Sequence, residues 1–421
     1  MIRVVVADDS AFMRKVLSDL FTQQPDFEVV ATAINGKDAI SKVEKLKPDL
    51  LTLDVNMPVM DGLQALEVIM QDCPLPVVMV SSLTKQGADE TIKALSLGAV
   101  DFICKQGGSI SKIDGIADDI LEKCRAAANA KIKKFAINSN IIEKKKEAGD
   151  LKRINILDRV ESTSSSARAI NLLAKRSQMI QKPQKPQKQT IEAKKPEPMT
   201  RTSLTDKIKL AQRQSPFQIK RVPNNSSGLS GRSHKLIALG TSTGGPRALQ
   251  NVIPLLPADL PCGMVVVQHM PAGFTKSLAE RLNGLSKVTV KEAEDNDIIK
   301  PGHVYIAPGN YHMTVKSNGS DRVISLNQDP PLGSHRPAVD IMFDSVVQFG
   351  RDVVSVILTG MGCDGAAGMK KIKSAGGYII AESSESCVVY GMPKAVVDSG
   401  IADEILPVQQ VAGAIVKAVK K

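Results

Sequence analysis

The chain has no tryptophan, and aromatic residues make up only 3% of its 421 positions. Hydrophobic residues nevertheless reach 43%, so any core must be aliphatic, which suits parallel sheets covered by helices. The six cysteines (Cys73, Cys104, Cys124, Cys262, Cys363, Cys387) contain no C-x-x-C pair. In a chain of this size that argues for reduced thiols in a cytosolic compartment and against a disulfide framework. No stretch approaches the ~18 uninterrupted apolar residues of a membrane span. The opening MIRVVVADDS places two carboxylates where a signal peptide needs an apolar run. These absences predict a soluble, cytoplasmic protein of two or three domains.

The net charge of +11 is unevenly distributed. Residues 131–233 hold 24 Lys and Arg against 8 Asp and Glu, a surplus larger than that of the whole chain, so the flanking parts are net acidic. This middle stretch, with QKPQKPQKQ and EAKKPEPM, is too polar to offset chain entropy by burial. It is expected to be a basic, Pro/Gln/Ser-rich flexible linker. Its only aromatics are Phe135 and Phe217, so it lacks the stacking platform of a single-strand nucleic-acid binder, and no specific nucleic-acid partner is expected.

On either side, short apolar strands alternate with amphipathic helices, the pattern of α/β domains. Residues 1–130 predict strands at 3–7, 29–33, 50–53, 77–80 and 102–104, each followed by a helix. Residues 234–421 predict seven strands, at 236–239, 264–268, 304–307, 313–315, 323–326, 353–358 and 378–381. Helices are expected near 247–255, 276–282, 339–349, 366–375 and 409–419. The strands between 304 and 326 lack intervening helices and should form hairpins on an otherwise parallel sheet.

In the first part, Asp8 and Asp9 follow the first strand and Asp54 ends the third. Strand carboxyl ends of an open α/β sheet gather into one crevice. Crowded carboxylates repel unless a cation sits among them, and a hard oxygen set suits Mg2+. Ser81 and Lys105, at the ends of the fourth and fifth strands, can reach the same crevice. The strings VVVADDS (4–10), LDVNMPVMDG (53–62), VMVSS (78–82) and DFICK (101–105) resemble the receiver domain of two-component response regulators, a flavodoxin-like (βα)5 fold. The resemblance implies phosphorylation of Asp54 by a histidine kinase, and Mg2+ held by Asp8, Asp9 and Asp54 with a carbonyl of Asn56. It makes Ser81 and Phe102 the switch pair, with Lys105 on the phosphoryl group. Gln106 stands where receivers usually carry proline after the lysine.

In the second part, LIALGTSTGGP (236–246) reads as strand, tight turn and helix, and Gly240–Gly244 fits G-x-S-x-G. Alone, such a turn could equally cradle a phosphate. His269, directly after GMVVVQ, and Asp364, after VVSVILTGMGC, add a base and a carboxylate at strand carboxyl ends of the same sheet. That is the set a serine needs to act as a nucleophile. The order Ser–His–Asp differs from that of α/β-hydrolases. His303, His312 and His335 are competing bases without so direct a position, and Cys363 is expected to be a small buried thiol.

GTSTGGP, VVQHMPAGFTKSLAERLN (266–283), PGHVYIAPGNYHM (301–313), HRPAVDIMF (335–343), ILTGMGCDGAAGM (357–369) and SCVVYGMP (386–393) resemble the chemotaxis protein-glutamate methylesterase family. The resemblance implies Ser242 as nucleophile, His269 as base and acid, Asp364 as orienting carboxylate and the Met361 amide as oxyanion donor, with no cofactor for the hydrolase. The implied substrates are glutamyl methyl esters of methyl-accepting chemotaxis receptors, which would bring the protein to the membrane only through those receptors. Receptor glutamines are a second substrate open to the same intermediate. The rival reading is a phosphorylation-gated receptor or kinase scaffold without catalysis.

Overall fold

A computed structural model describes residues 1–105, 117–130 and 234–420. The linker expected at 131–233 and the Gln106 position lie outside the described residues. All described residues belong to one compact unit.

Residues 1–130 form a five-stranded parallel sheet in the order β2-β1-β3-β4-β5. The strands are β1 (Ile2–Ala7), β2 (Phe27–Ala33), β3 (Leu50–Asp54), β4 (Val77–Ser82) and β5 (Asp101–Lys105). The helices are α1 (Ala11–Thr22), α2 (Gly36–Leu46), α3 (Gly62–Asp72), α4 (Lys85–Leu97) and α5 (Ala117–Ala128). Four helix starts carry a side-chain cap: Ser10, Asn35, Asp61 and Thr84 each accept a bond from a first-turn amide. Alternation along the strands splits the core. Val5, Ala7, Leu51, Leu53, Val77 and Met79 face α2, α3 and α4, while Val4, Val6, Leu50, Val78 and Val80 face α1 and α5.

Residues 234–420 form a seven-stranded parallel sheet in the order β14-β13-β12-β6-β7-β9-β8. Its strands are β6 (Leu236–Thr241), β7 (Met264–Gln268), β8 (Thr289–Glu292), β9 (His303–Ile306), β12 (Val353–Ile357), β13 (Tyr378–Glu382) and β14 (Glu404–Leu406). A separate antiparallel pair, β10 (His312–Asn318) and β11 (Asp321–Asn327), makes the expected hairpin, whereas the strand expected at 304–307 joins the main sheet in parallel. Helices α6 (Gly245–Val252), α7 (Phe274–Leu285) and α11 (Val408–Val419) cover the face presenting Ile237, Leu239 and Val266. Helices α8 (Val339–Val346), α9 (Ala366–Ser374) and α10 (Met392–Asp398) cover the face presenting Ala238, Val265 and Ile379.

Strands β8 and β14 and helix α10 were absent from the sequence expectation. The two strands are edges of three or four residues with a single buried position between them, Val290, so they carry no hydrophobic period to read. Helix α10 is seven residues and begins at a Pro-containing turn.

Phe343 on α8 is fully buried in the second of these faces. Phe343→Ala should cost about 3–5 kcal/mol through lost burial and the cavity left behind. Denaturant unfolding of Phe343→Ala should show the loss as a lowered midpoint relative to the parent.

Candidate active site and phosphoacceptor site

The parallel arrangement brings the carboxyl ends of β6, β7 and β12 to one edge of the sheet. The turn between β6 and α6 carries Ser242, with Gly244 at φ +79° forming the start of the helix. A left-handed residue is needed to reverse the chain so sharply, and glycine adopts it without Cβ strain. His269 follows β7 directly and its amide donates to the Thr241 carbonyl at 3.2 Å. Asp364 sits in the loop between β12 and α9.

His269 Nδ1 lies 3.2 Å from Ser242 Oγ, and His269 Nε2 lies 2.7 Å from Asp364 Oδ2. This chain of contacts fixes the tautomer. Asp364 can only accept, so Nε2 carries the proton and Nδ1 is the acceptor facing the serine hydroxyl. The two ring nitrogens are exchanged relative to the common serine-hydrolase arrangement. Asp364 also accepts the amides of Val339 and Asp340 at 2.7 and 2.8 Å. Burial alone would raise its pKa, but His269 and these two amides outweigh burial and hold the carboxyl below its ordinary range.

Of the competing histidines, His335 does reach the site: its ring stacks on His269 with centroids 3.9 Å apart. Burial, and then the neighbouring His269, push the His335 imidazole down to about 4, so it is uncharged at neutral pH. His312 instead bonds the Ala338 amide and the Pro330 carbonyl, and His303 the Pro301 carbonyl. The Met361 amide is committed to no acceptor among the described residues. Cys363 is exposed, which corrects the expectation of a buried thiol: the glycine-flanked loop that turns Asp364 inward leaves its neighbour outside.

Three residues of the site were not singled out from the sequence, although Gln268 and Thr359 lie within the matching strings. Thr359 accepts the Ser242 amide and the Thr241 hydroxyl through its carbonyl, and its own hydroxyl donates to Thr243 O at 2.9 Å. Buried Glu382 accepts the Thr359 amide at 2.8 Å. The Gln268 side chain reaches the Ser242 backbone. All three act through backbone groups that no motif spells out.

At the other site, Asp8, Asp9 and Asp54 each place a carboxylate oxygen within 4.8 Å of the others. Lys105 Nζ lies 3.0 Å from Asp8 and 2.8 Å from Asp54. Burial raises Asp54 to about 6, Lys105 opposing and Asp8 reinforcing the shift. Three carboxylates, two of them buried and Asp9 exposed, carry more negative charge than one lysine can neutralise, so these donors fit a hard divalent cation. Ser81, fully buried, donates to the Gly87 carbonyl at the start of α4 at 3.0 Å.

The two sites are joined. Phe102 on β5 stacks on Phe274 at the start of α7, with centroids 4.6 Å apart. The preceding residue, Asp101, accepts the hydroxyl of Thr243 at 2.5 Å, one residue from Ser242. Burial raises the Asp101 pKa against the pull of Lys123 and the Thr243 bond. Gln250 of α6 donates to Ser96 of α4 at 2.8 Å, and Ala88, Ile92 and Leu95 of α4 share a continuous core with α6 and α7. A seam of about 210 Å³ remains between Leu83–Ala88 and Ala272–Ser277.

Fold and site together define a class: a response-regulator receiver packed on an α/β domain that aligns a serine, a histidine and an aspartate. Residues 4–113 match the response regulator receiver domain and residues 237–415 match the CheB methylesterase. A protein-glutamate methylesterase/protein-glutamine glutaminase of Symbiobacterium thermophilum is 42% identical, over 99% of this chain and 97% of that protein. One of Bacillus subtilis is 42% identical, over 100% and 99%. Among solved structures, the Thermotoga maritima CheB methylesterase catalytic domain is 47% identical, covering 44% of this chain and 97% of that one, with a TM-score of 0.43. The Thermotoga maritima CheB response regulator domain is 51% identical, covering 31% and 99%, with a TM-score of 0.30. The chain belongs to the protein-glutamate methylesterase/protein-glutamine glutaminase family.

Because the Asp364 carboxyl is held below its unfolded value, its contribution to stability is complete above the ordinary carboxylate range and disappears as pH falls through the lowered value. Melting temperature measured against pH should therefore drop on the acid side in the parent, and Asp364→Asn should flatten that part of the curve.

Proposed function

We propose that the chain is a phosphorylation-activated hydrolase that removes methyl esters from glutamates of chemoreceptors and deamidates their glutamines by the same route. The observation that carries this is the hydrogen-bonded line Ser242–His269–Asp364 at 3.2 and 2.7 Å. His269 Nδ1 takes the hydroxyl proton as Ser242 Oγ attacks the γ-carbonyl, and Asp364 balances the imidazolium that forms. The Met361 amide would donate to the oxyanion, a contact worth ~3 kcal/mol in the transition state. His269 returns its proton to the departing methanol, or to ammonia from a glutamine. Water, deprotonated by the same histidine, then releases glutamate and free Ser242. The hydrolase residues need no cofactor for these steps.

In the receiver part, Asp54 is the acceptor for a phosphoryl group delivered by a chemotaxis histidine kinase. Asp8, Asp9, Asp54 and the Asn56 carbonyl would hold Mg2+, which when bound screens the charge of the incoming phosphoryl group. Lys105 is placed to pair with the phosphorylated oxygen. Ser81 would then exchange the Gly87 carbonyl for the phosphoryl group and free the start of α4, and Phe102 would leave Phe274. Both movements loosen the seam beside Ser242, so the unphosphorylated receiver acts as an inhibitory cover. We place the boundaries at 1–130, 131–233 and 234–421, the middle segment serving as a basic tether. Six unpaired cysteines favour a cytoplasmic location, with the membrane reached only through receptors. Among the described residues no helix is long and apolar enough to cross a membrane.

Methanol release from methylated receptor membranes tests the chemistry. The parent should release methanol faster with a small phosphodonor, Asp54→Asn should lose that increase, and Ser242→Ala should release none. A Ser242→Ala enzyme that still released methanol would sink the mechanism. The cover is tested separately: Phe102→Ala and Asp101→Ala should raise release without phosphodonor several-fold. Basal rates equal to the parent in both variants would mean that the seam does not restrain the site.

A further inference from the structure

The last residue of β7, Gln268, is 2% exposed and carries a polar amide into the tightest part of the sheet edge. Its Nε2 donates to the Ser242 carbonyl at 2.9 Å and to the His269 carbonyl at 3.1 Å. Both amide protons are thus used, and the reverse orientation would set an oxygen against two carbonyls, so the assignment is fixed by the partners. Gly245 donates to the same Ser242 carbonyl at 2.8 Å. A side chain at Gly245 would meet Gln268 Oε1 at 2.0 Å, so the amide fits only because that backbone is bare.

Gln268 Oε1 itself is buried with no hydrogen-bond partner among the described residues. An unpaired buried acceptor is a cost to the fold, and an apolar side chain of similar length would avoid it. What the amide supplies instead is a single rigid group fastened to the backbones of both residues that must meet. Strands β6 and β7 pair in parallel with Thr241 opposite Gln268, so beyond that pair no ladder bond ties Ser242 to the His269 chain except the amide of His269 to Thr241 O.

Building on the proposed Ser242–His269 chemistry, we infer that Gln268 is a positioning residue that sets the separation of nucleophile and base by bridging their two carbonyls. It touches neither substrate nor the reacting atoms. Its loss therefore lowers turnover while leaving receptor binding in place, because the oxygen and nitrogen that exchange the proton drift apart.

The test uses the full chain with phosphodonor, comparing parent, Ser242→Ala, Gln268→Met and Gln268→Glu. Methionine keeps length without donors, and glutamate keeps shape but turns acceptors toward both carbonyls. Two readouts are taken: kcat and KM for methanol release, and the rate at which a small fluorophosphonate labels Ser242, which needs the Ser–His alignment but no receptor. Expected is a 10- to 100-fold fall in kcat with KM within about twofold and a parallel fall in labelling, larger for Gln268→Glu. Unchanged kcat and labelling in variants that melt above the assay temperature would overturn the inference. Melting of both variants below that temperature would make Gln268 a folding residue and overturn it equally. Failure of the parent itself to be labelled would instead strike at the Ser242 chemistry.

Discussion

The structure turns on the hydrogen bond between Asp364 Oδ2 and His269 Nε2. It decides which ring nitrogen carries a proton, and hence that Nδ1 is the lone pair presented to Ser242. For that bond to form, two loops from β7 and β12 must end at the same height, which only a parallel sheet with β6 between them provides. The supporting contacts then follow. His269, with the Val339 and Asp340 amides, outweighs burial and holds the Asp364 carboxyl below its ordinary range, His335 lies flat on the imidazole without adding charge, and Thr359 holds the backbone of the serine turn. Each is modest alone, but together they leave the imidazole one orientation.

The second organising feature is the closeness of the two chemistries. Asp101 and Phe102 are neighbours on β5, yet one holds Thr243 beside Ser242 and the other stacks on the helix that follows His269. A strand that ends at the Asp8–Asp9–Asp54 crevice through Lys105 thus contacts the other domain through its first two residues. The seam combines an aromatic stack, apolar contacts of α4 and a few buried polar bonds. Such an interface can be weakened by moving one side chain, because a buried polar pair that loses its partner becomes unfavourable.

Much of the site was legible from spacing. Asp8, Asp9, Asp54, Ser81 and Lys105 each lie at the end of a strand, and strand ends of an α/β sheet converge; the structure brings the three carboxylates and Lys105 together, while Ser81 bonds the Gly87 carbonyl. Ser242, His269 and Asp364 followed the same rule. The hydrophobic periodicity located every long strand and helix of both sheets. It did not locate β8 or β14, where few buried side chains leave no pattern, or α10, which is seven residues with a proline at its start. The hairpin was read correctly as antiparallel, but not that it forms a sheet of its own. Cys363 was placed inside because small residues flank it, and the loop geometry turns it out.

The sequence by itself determined the types of the long elements, the parallel character of most of their pairing and the residues able to titrate or act as nucleophiles, because periodicity and residue chemistry are local properties. Only the tertiary structure decided what those residues touch. That His335 lies on His269 and His312 does not, that Gln268 spans two carbonyls, and that Asp101 grips Thr243 across 142 positions of sequence all depend on which distant groups the fold brings within 3 to 4 Å. Hydrogen bonds to backbone groups carry no residue signature, since every residue but proline offers the same amide and carbonyl. Their partners are therefore fixed by packing alone.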